Sequence, residues 1–208
     1  MKLTKKFAPR STKKLPDMNR AVIIHGTPSK EEYYNPSAPD SQSNSHWLPW
    51  LQQRLCQHDI LTQAPEMPTP YDPKYEAWKN DFEKQSPDEN TLLIGHSCGS
   101  GFIVRWLSEN PEKIVSKVVL VAPWLDVEGD YPAMFEFTIR SDIYKQVKAG
   151  IEVLYSTDDQ VSTQSTVNRL RELTSGLKYH EFTGYRHFTF GSMKTREFPE
   201  LLKICLGE

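Results

Sequence analysis

Residues 92–102, LLIGHSCGSGF, constrain the fold of this chain more than any other stretch. A short apolar run ends in a cluster of glycines and small polar residues, after which apolar residues return at helical spacing. Gly95, Ser97 and Gly99 form the pattern G-x-S-x-G between a predicted strand and a predicted helix. Glycines two positions either side of a serine remove Cβ atoms that would clash if the serine backbone were strained. The stretch therefore predicts a nucleophile elbow; the alternative is a tight turn that happens to contain Ser97.

Short apolar runs alternate with amphipathic stretches along the rest of the chain. The runs predict strands at 20–26, 59–65, 90–97, 116–123, 151–159 and 177–184. Helical spacing predicts helices at 47–55, 73–85, 98–110, 161–173 and 197–206. The strand at 116–123 is nearly all apolar, as expected when both faces of a parallel sheet are covered. This alternation predicts an α/β domain with a mostly parallel sheet.

The length of 208 residues fits one globular domain. Residues 1–20 hold seven of the 25 basic side chains and a single acidic one, Asp17. We therefore expect a flexible basic leader at 1–19 and one domain at 20–208. The stretch at about 125–150 is too short for a large lid domain, so we expect it to form a short, cap-like insertion.

Charge and cysteine content exclude several classes of function. Beyond residue 20 the chain has 18 basic and 26 acidic side chains, which favours neither nucleic acid nor an anionic membrane as a partner. No stretch has the roughly 18 to 20 apolar residues of a membrane helix. Cys56, Cys98 and Cys205 are widely spaced, which argues against a disulfide framework or a zinc site. We expect a protein of the reducing cytoplasm with no metal.

A nucleophilic serine needs a base, and the base needs a group that orients it. After an elbow of this type the partners follow in the order acid, then histidine, each beyond a strand. Asp158 and Asp159 follow the strand IEVLY, and His187 follows the last strand, so the order is met. Taken alone, either aspartate could instead cap the helix that begins near Val161, and His187 could be an ordinary loop histidine.

The sequence also offers two backbone donors for an oxyanion. The amide of Cys98 would lie at the start of the helix after the elbow, and the loop after the first strand offers the amide of Thr27. Residues 27–45 form a long polar stretch without periodicity, and such loops are more often functional than idle. We expect His25 and His96 near the site in structural roles and His46 in a capping or packing role.

Several segments carry a resemblance to a known family. They are HG at 25–26, SHWLPWL at 45–51, APEMPTP at 64–70, GHSCGS at 95–100, STDDQV at 156–161 and RHF at 186–188. In this order they resemble the α/β-hydrolase superfamily, most closely its small YdeN-like and retinoblastoma-binding-protein-type serine hydrolases. The resemblance covers roughly residues 20–205. It implies a single-domain α/β-hydrolase, a three-layer sandwich of about six mostly parallel strands flanked by helices with a minimal cap.

The resemblance also implies which aspartate is the acid. Family members tend to carry the acid in a D-D-P-like string, which assigns the role to Asp159 and places Gln160 where the proline usually stands. Tyr185 and Arg186 precede His187 where a small pair often stands, which puts a charge beside the histidine. Neither departure removes a group that the chemistry requires.

The resulting hypothesis is a serine hydrolase that cleaves a small-molecule acyl ester, or a related thioester or amide, without a cofactor. Ser97, His187 and Asp159 would form the triad. The short insertion predicts an open site with an aromatic wall that binds substrate, formed by Tyr131, Phe135 and Phe137. The alternative is a protein-binding module on a hydrolase fold with little turnover, since a fold and an intact site do not guarantee catalysis.

Overall fold

A computed structural model describes residues 18–208 of the chain. The predicted leader at 1–19 therefore lies outside the described residues except for Met18 and Asn19. Residues from 20 onward form one α/β unit built on a single sheet.

The sheet confirms the predicted fold class. Its six strands are β1 (Arg20–Ile24), β2 (Leu61–Gln63), β3 (Thr91–His96), β4 (Lys117–Val121), β5 (Ile151–Ser156) and β6 (Leu177–Phe182). They lie in the order β2-β1-β3-β4-β5-β6, and every neighbouring pair is parallel. Because all strands run the same way, their carboxyl ends share one edge of the sheet, where loops can bring distant residues together.

Helices follow most of the strands. They are α1 (Lys30–Tyr33), α2 (Leu48–Cys56), α3 (Tyr75–Glu83), α4 (Cys98–Glu109), α5 (Pro132–Phe135), α6 (Val161–Leu173), α7 (Phe190–Met193) and α8 (Pro199–Leu206). Two 3₁₀ turns, Gln42–Asn44 and Ile143–Gln146, complete the secondary structure.

Alternating residues of the strands point into two cores, one on each face of the sheet. On β1, Val22 joins the core that contains α3 and α4, while Ile23 joins the core that contains α2 and α8. This period of two is the geometry of a strand buried on both sides. It produces the three layers of the sandwich, with the sheet in the middle.

Two loops differ from simple expectation. The stretch 27–45 contains regular structure, because Ser29 and Glu32 form a capping box that starts α1 and Gln42–Asn44 form a 3₁₀ turn. The polar run concealed this short helix because α1 buries none of its residues and so shows no apolar periodicity. The insertion at 125–150 carries α5 and the second 3₁₀ turn, and α5 lies against α4.

The amino ends of the strands hold a buried ionic cluster. The Lys117 side chain is 3% exposed, donates a hydrogen bond to the carbonyl oxygen of Ile204 in α8, and lies 3.6 Å from a carboxylate oxygen of Glu152. The other Glu152 oxygen lies 2.5 Å from His180 Nε2 and 3.5 Å from Lys178 Nζ. This cluster ties α8 to the sheet at the edge opposite the elbow.

Residues 18–208 contain no helix that is both long enough and apolar enough to cross a membrane.

Candidate active site

Ser97 occupies a sharp turn between β3 and α4. Its backbone has φ 53° and ψ −120°, a conformation that non-glycine residues rarely adopt and that costs on the order of 1–3 kcal/mol. The Ser97 amide donates to the carbonyl of Val121 at 2.9 Å, which fixes the turn to the end of β4. Its side chain is at the surface of the site, and the residue as a whole is 9% exposed.

The two glycines of the pattern have the steric role that the sequence predicted. A Cβ at Gly95 would lie 2.5 Å from the backbone of Ser100, and a Cβ at Gly99 would overlap the carbonyl oxygen of Ile24. Both contacts are with backbone atoms, which cannot move aside as the end of a side chain can. The elbow therefore requires glycine at these two positions.

His187 lies in the loop after β6, with its ring turned toward the elbow. Its Nε2 atom is 2.8 Å from Ser97 Oγ. The next residue, Phe188, is fully buried and stacks on Phe198, with ring centroids 5.6 Å apart and an interplanar angle of 24°. Phe182 meets the same ring edge-on. An aromatic anchor in the core thus holds the loop that carries the histidine.

Asp159 lies behind the imidazole. Its two carboxylate oxygens are 2.9 and 3.1 Å from His187 Nδ1, and its side chain is 1% exposed. Since a carboxylate only accepts hydrogen bonds, Nδ1 carries the proton and Nε2 is left to accept one from Ser97. The structure therefore brings together the three side chains proposed for the triad, in the arrangement serine, histidine, aspartate.

Asp158 contacts the same loop but a different part of it. Its Oδ1 atom accepts hydrogen bonds from the amides of Gly184 and Arg186, at 3.0 and 3.1 Å, and from the Ser156 hydroxyl at 2.5 Å. Neither aspartate is the helix cap, because Gln160 is the N-cap of α6. The two adjacent carboxylates thus have separate partners, and only that of Asp159 reaches the imidazole.

Two backbone amides near Ser97 are available to a bound oxygen. Cys98 begins α4, where the partial positive charge of the helix dipole favours an anion. Thr27 follows Gly26, whose backbone approaches the elbow so closely that a Cβ there would lie 3.1 Å from Ser97 Cβ. Within residues 18–208, neither the Thr27 amide nor the Cys98 amide donates a hydrogen bond. Both can therefore serve as the donors that the sequence predicted.

The Cys98 thiol does not compete with Ser97 as a nucleophile. It is completely buried, and burial raises its pKa well above the ordinary thiol value, with the charge of Asp126 adding to the effect. A protonated thiol is a poor nucleophile.

Three further histidines lie close to the site, and burial is the main cause that lowers the pKa of each. His25 Nε2 accepts from the amide of Met67 at 2.8 Å, and His46 Nδ1 accepts from the amide of Phe190 at 3.2 Å. The pKa of His46 is lowered to about 4. His96 is buried between the His46 and His187 rings, at centroid distances of 5.6 and 5.3 Å, and its pKa is lowered well below the ordinary histidine value.

The predicted aromatic wall is only partly next to the elbow. Trp124, a residue that the sequence reasoning missed, donates its amide to the carbonyl of Ser97 at 3.3 Å. Its ring contacts those of Tyr131 and Phe135 edge-on, at 5.7 and 5.4 Å. Phe137 instead packs beside Arg105, about two helical turns along α4 from Ser97. The only sequence signal for Trp124 was its position directly after a strand.

Gly101 explains where the wall is attached. In the structure a Cβ at this position would overlap the carbonyl of Trp124 and lie 2.6 Å from the Phe135 ring. The close approach is therefore to the insertion, which rests on the first turn of α4.

The arrangement is suited to nucleophilic attack on a carbonyl. A hydroxyl hydrogen-bonded to an imidazole, an imidazole held by a buried carboxylate, and two free amides beside the hydroxyl are the parts required for acyl transfer. In the part of the chain that the structure describes, no group of three or more histidine, cysteine or acidic side chains is placed to hold a metal ion.

Sequence comparison places the chain among known hydrolases. A family model described as "Serine hydrolase" matches residues 36–190, well over half of the chain. The Bacillus subtilis (strain 168) protein named "Putative hydrolase YdeN" is 28% identical over 127 residues, which cover 58% of this chain and 67% of YdeN.

Structural comparison gives the same fold. The crystal structure of the B. subtilis ydeN gene product matches with a TM-score of 0.71 and 20% identity, covering 91% of this chain and 97% of that one. The B. subtilis carboxylesterase CesB matches with a TM-score of 0.57 and 14% identity over 95% and 90% of the two chains. A monoacylglycerol lipase of Paleococcus ferrophilus gives 0.59 and 15% over 93% and 96%.

Proposed function

The chain belongs to the serine hydrolase family and is a hydrolase, and we propose that it cleaves an acyl ester through a covalent acyl-enzyme on Ser97. The observation that carries this proposal is the continuous hydrogen-bonded line from Ser97 Oγ through the His187 ring to the Asp159 carboxylate, with distances of 2.8 and 2.9 Å. A line of this geometry allows a weakly acidic hydroxyl to attack at neutral pH.

The reaction would proceed in two halves. In the first, Ser97 Oγ attacks the carbonyl carbon while His187 Nε2 takes the hydroxyl proton, and then returns it to the leaving alcohol. In the second, water attacks the acyl-enzyme with the same proton transfers, and the acid product leaves. The Asp159 carboxylate stabilises the imidazolium that forms in each half.

The amides of Cys98 and Thr27 would bind the negative oxygen of each tetrahedral intermediate. Their value lies in preorganisation, since both amides are fixed by the fold before substrate arrives. The Cys98 amide is held by the strained elbow, and the Thr27 amide by β1 and the capped α1 that follows it.

For the substrate we propose a short acyl ester bound beside the wall of Trp124, Tyr131 and Phe135. The insertion at 125–150 carries only a four-residue helix and a 3₁₀ turn, which favours an open site. A carboxylesterase and a monoacylglycerol lipase are among the structural matches, and ester chemistry agrees with both. Thioesters and amides react by the same steps and are the neighbouring alternatives.

The test of the mechanism is labelling with a fluorophosphonate probe. Wild type should be labelled, Ser97→Ala should not, and His187→Ala should react on the order of 10²- to 10⁴-fold more slowly. Ser175→Ala is the matched control, because Ser175 is exposed beyond the end of α6, and it should react like wild type. An unlabelled wild type, or equal labelling of Ser97→Ala, would overturn the proposal.

A series of p-nitrophenyl esters with increasing acyl length tests the substrate. We expect kcat/KM to be highest for acetyl to butyryl esters and to fall for longer chains. A preference for long chains would show that the open-site picture is wrong. Trp124→Ala should lower kcat/KM across the series, because it removes the ring that contacts both Tyr131 and Phe135 in the proposed wall.

A protein-binding module is the second candidate, and one observation favours it. Tyr33, Tyr34 and Tyr71 form an aromatic cluster at the surface, in which Tyr34 is 61% exposed and its hydroxyl lies 2.9 Å from that of Tyr71. This candidate predicts a partner retained by Ser97→Ala and lost by Tyr34→Ala, together with no turnover on ester, thioester and amide panels. Turnover that depends on Ser97 would favour the enzyme.

A further inference from the structure

Two side chains hold the main chain around His187 and have no part in the proposed proton transfers. His96 Nε2 lies 2.9 Å from the carbonyl oxygen of His187. On the other side, Asp158 accepts hydrogen bonds from the amides of Gly184 and Arg186. The backbone of the loop is thus held both just before the histidine and at the histidine itself.

These two side chains occupy related positions in the sequence. His96 directly precedes Ser97, and Asp158 directly precedes Asp159. Ser97 and Asp159 both contact the His187 ring. The residue directly before each of them is hydrogen-bonded to the main chain of the loop that carries His187. Because a planar trans peptide holds the Cα atoms of adjacent residues about 3.8 Å apart, the bonds of His96 and Asp158 tie the loop close to Ser97 and Asp159.

We propose that His96 and Asp158 are positioning residues that set the distance between His187 Nε2 and Ser97 Oγ by holding the main chain of residues 184–187. The inference rests on the proposed function, because it takes His187 as the base. It adds a second role to the elbow: besides presenting the nucleophile, the elbow fixes the base.

The loop needs such support because its backbone is strained. Arg186 and Phe188, on either side of His187, both have positive φ values, 46° and 53°. Each such residue costs on the order of 1–3 kcal/mol and persists only where the surroundings enforce it. Burial of Phe188 anchors the far side of the histidine. Asp158 holds the amides that precede the histidine, and His96 holds the carbonyl of His187 itself.

His96 is suited to this role because it remains neutral. A carbonyl oxygen only accepts, so Nε2 of His96 carries the proton and donates it. Burial lowers the pKa of His96 well below the ordinary histidine value, and the neighbouring His187 and His46 lower it further. A neutral donor can hold the carbonyl without repelling the imidazolium that forms on His187 during the reaction.

Asp158 is suited to its role because it remains charged. The Ser156 hydroxyl and the amides of Arg186 and Gly184 hold the pKa of its carboxyl below the usual value, against a smaller opposing effect of desolvation. Hydrogen bonds from amides to a carboxylate are stronger than those to a neutral acceptor.

The kinetic test uses one disruptive and one conservative variant at each position. His96→Phe and Asp158→Ala remove the bonds, whereas His96→Gln keeps an N–H donor and Asp158→Asn keeps an oxygen acceptor. We expect the disruptive variants to lower kcat for p-nitrophenyl acetate on the order of 10- to 100-fold with KM within about twofold, since small displacements of reacting groups have effects of this size. The conservative variants should recover most of the loss.

Matched controls separate positioning from general destabilisation. His58→Phe and Asp81→Ala change the same residue types at other places. His58 lies in an exposed turn and Asp81 on α3, both away from the carboxyl edge of the sheet, so these variants should leave kcat unchanged. Circular dichroism melting of every variant identifies any that fail to fold. If His96→Phe does not fold, the comparison of His96→Gln with wild type and with Asp158→Ala still tests the inference.

A spectroscopic readout tests the inference without turnover. The proton between His187 Nδ1 and Asp159 should give a downfield proton NMR resonance at low pH in wild type. We expect this resonance to broaden or shift in His96→Phe and Asp158→Ala and to return in the conservative variants. If wild type shows no turnover and no probe labelling, the proposed function fails, but this arm still measures whether the two residues position the histidine.

Two results would overturn the inference. One is a His96→Phe or Asp158→Ala variant that keeps both the resonance and kcat within twofold of wild type. The other is a conservative variant as impaired as its disruptive counterpart while the resonance is intact, which would assign the loss to packing and not to the loop.

Discussion

Asp158 and Asp159 are adjacent in the sequence, and their carboxylates hold the same loop through different atoms. Asp159 contacts the imidazole of His187, and Asp158 contacts the main-chain amides of Gly184 and Arg186 just before it. One turn after β5 thus supplies both the partner of the ring and the support of its backbone. The turn carries two aspartates because each holds a different part of the loop, whereas capping a helix would require only one.

Replacement of Gly99 by alanine should destabilise the protein and abolish activity. The new Cβ would overlap the carbonyl oxygens of Ile24 and His25, so the backbone of β1 or α4 must move. Overpacking of this kind costs about 1–3 kcal/mol or more. Urea unfolding and ester hydrolysis measure the two effects. Gly191→Ala is the control, because its Cβ would meet only Thr189 Oγ1 at 3.8 Å, and a loss as large as that of Gly99→Ala would contradict this explanation.

Replacement of Cys98 by alanine should leave kcat within a few-fold of wild type. The variant keeps the backbone amide proposed for the oxyanion and removes only a thiol whose pKa burial raises well above its usual value. For the same reason iodoacetamide should modify the exposed Cys56 in wild type without inactivating the enzyme. A large loss of kcat, or inactivation by the reagent at Cys98, would show that the thiol takes part.

The free energy of unfolding should fall as the pH drops from about 6.5 to 4. Burial lowers the pKa of His25, His46 and His96, so below the ordinary histidine pKa each binds a proton more readily in the unfolded chain than in the folded protein. Each such proton contributes a slope of up to about 1.4 kcal/mol per pH unit. Urea titrations between pH 4 and 7 measure the slope. His46→Gln should lower this slope by up to about 1.4 kcal/mol per pH unit, the contribution of one proton. His58→Gln changes an exposed histidine and should leave the slope unchanged.

Replacement of Glu152 by glutamine should destabilise the protein at pH 7 by about 1–3 kcal/mol, because it leaves the buried ammonium of Lys117 without its counter-charge. Burial by itself would raise the pKa of Glu152, but the His180 hydrogen bond and the charges of Lys117 and Lys178 outweigh it and lower the pKa. The contribution of Glu152 is therefore present above the ordinary glutamate pKa and is lost as the pH falls through the lowered value.

The difference between Glu152→Gln and wild type should accordingly shrink below about pH 4 in urea titrations. Glu89→Gln provides the comparison, since the Lys148–Glu89 pair is exposed and such pairs contribute about 1 kcal/mol or less. Because the ionic cluster lies at the opposite edge of the sheet, kcat at pH 7 should be unchanged in both variants. A fall in kcat for Glu152→Gln in fully folded protein would contradict this separation.

Local patterns in the sequence predicted the sheet and the elbow well. The apolar runs predicted β1, β3, β4 and β5, because strands buried on both faces need nearly continuous apolar residues. The two edge strands, β2 and β6, are more exposed and carry more polar residues. The elbow could be predicted because the strained serine needs glycine at two fixed positions, two residues before it and two residues after it. The order of Ser97, an aspartate and His187 followed from the chain order expected after a nucleophile elbow and from the placement of each residue after a strand.

Contacts between distant loops could not be predicted in this way. The hydrogen bond of His96 to the carbonyl of His187 spans 91 residues and leaves no periodic trace in the sequence. The same holds for Trp124, whose place beside the elbow depends on how the insertion folds back onto Gly101. Choosing Asp159 over Asp158 required the resemblance, because both follow β5 and the residues alone do not show which carboxylate reaches the ring.

The stacking of Phe188 on Phe198 has a consequence for the order in which the protein matures during synthesis. Phe198 immediately precedes α8, so the support for the histidine loop comes from a segment that is synthesised after all six strands. A nascent chain can form β1 to β5 and present Ser97 while the base is still unanchored. Hydrolytic activity would therefore appear only after α8 has docked, so Ser97 would be inactive in nascent chains that lack this helix.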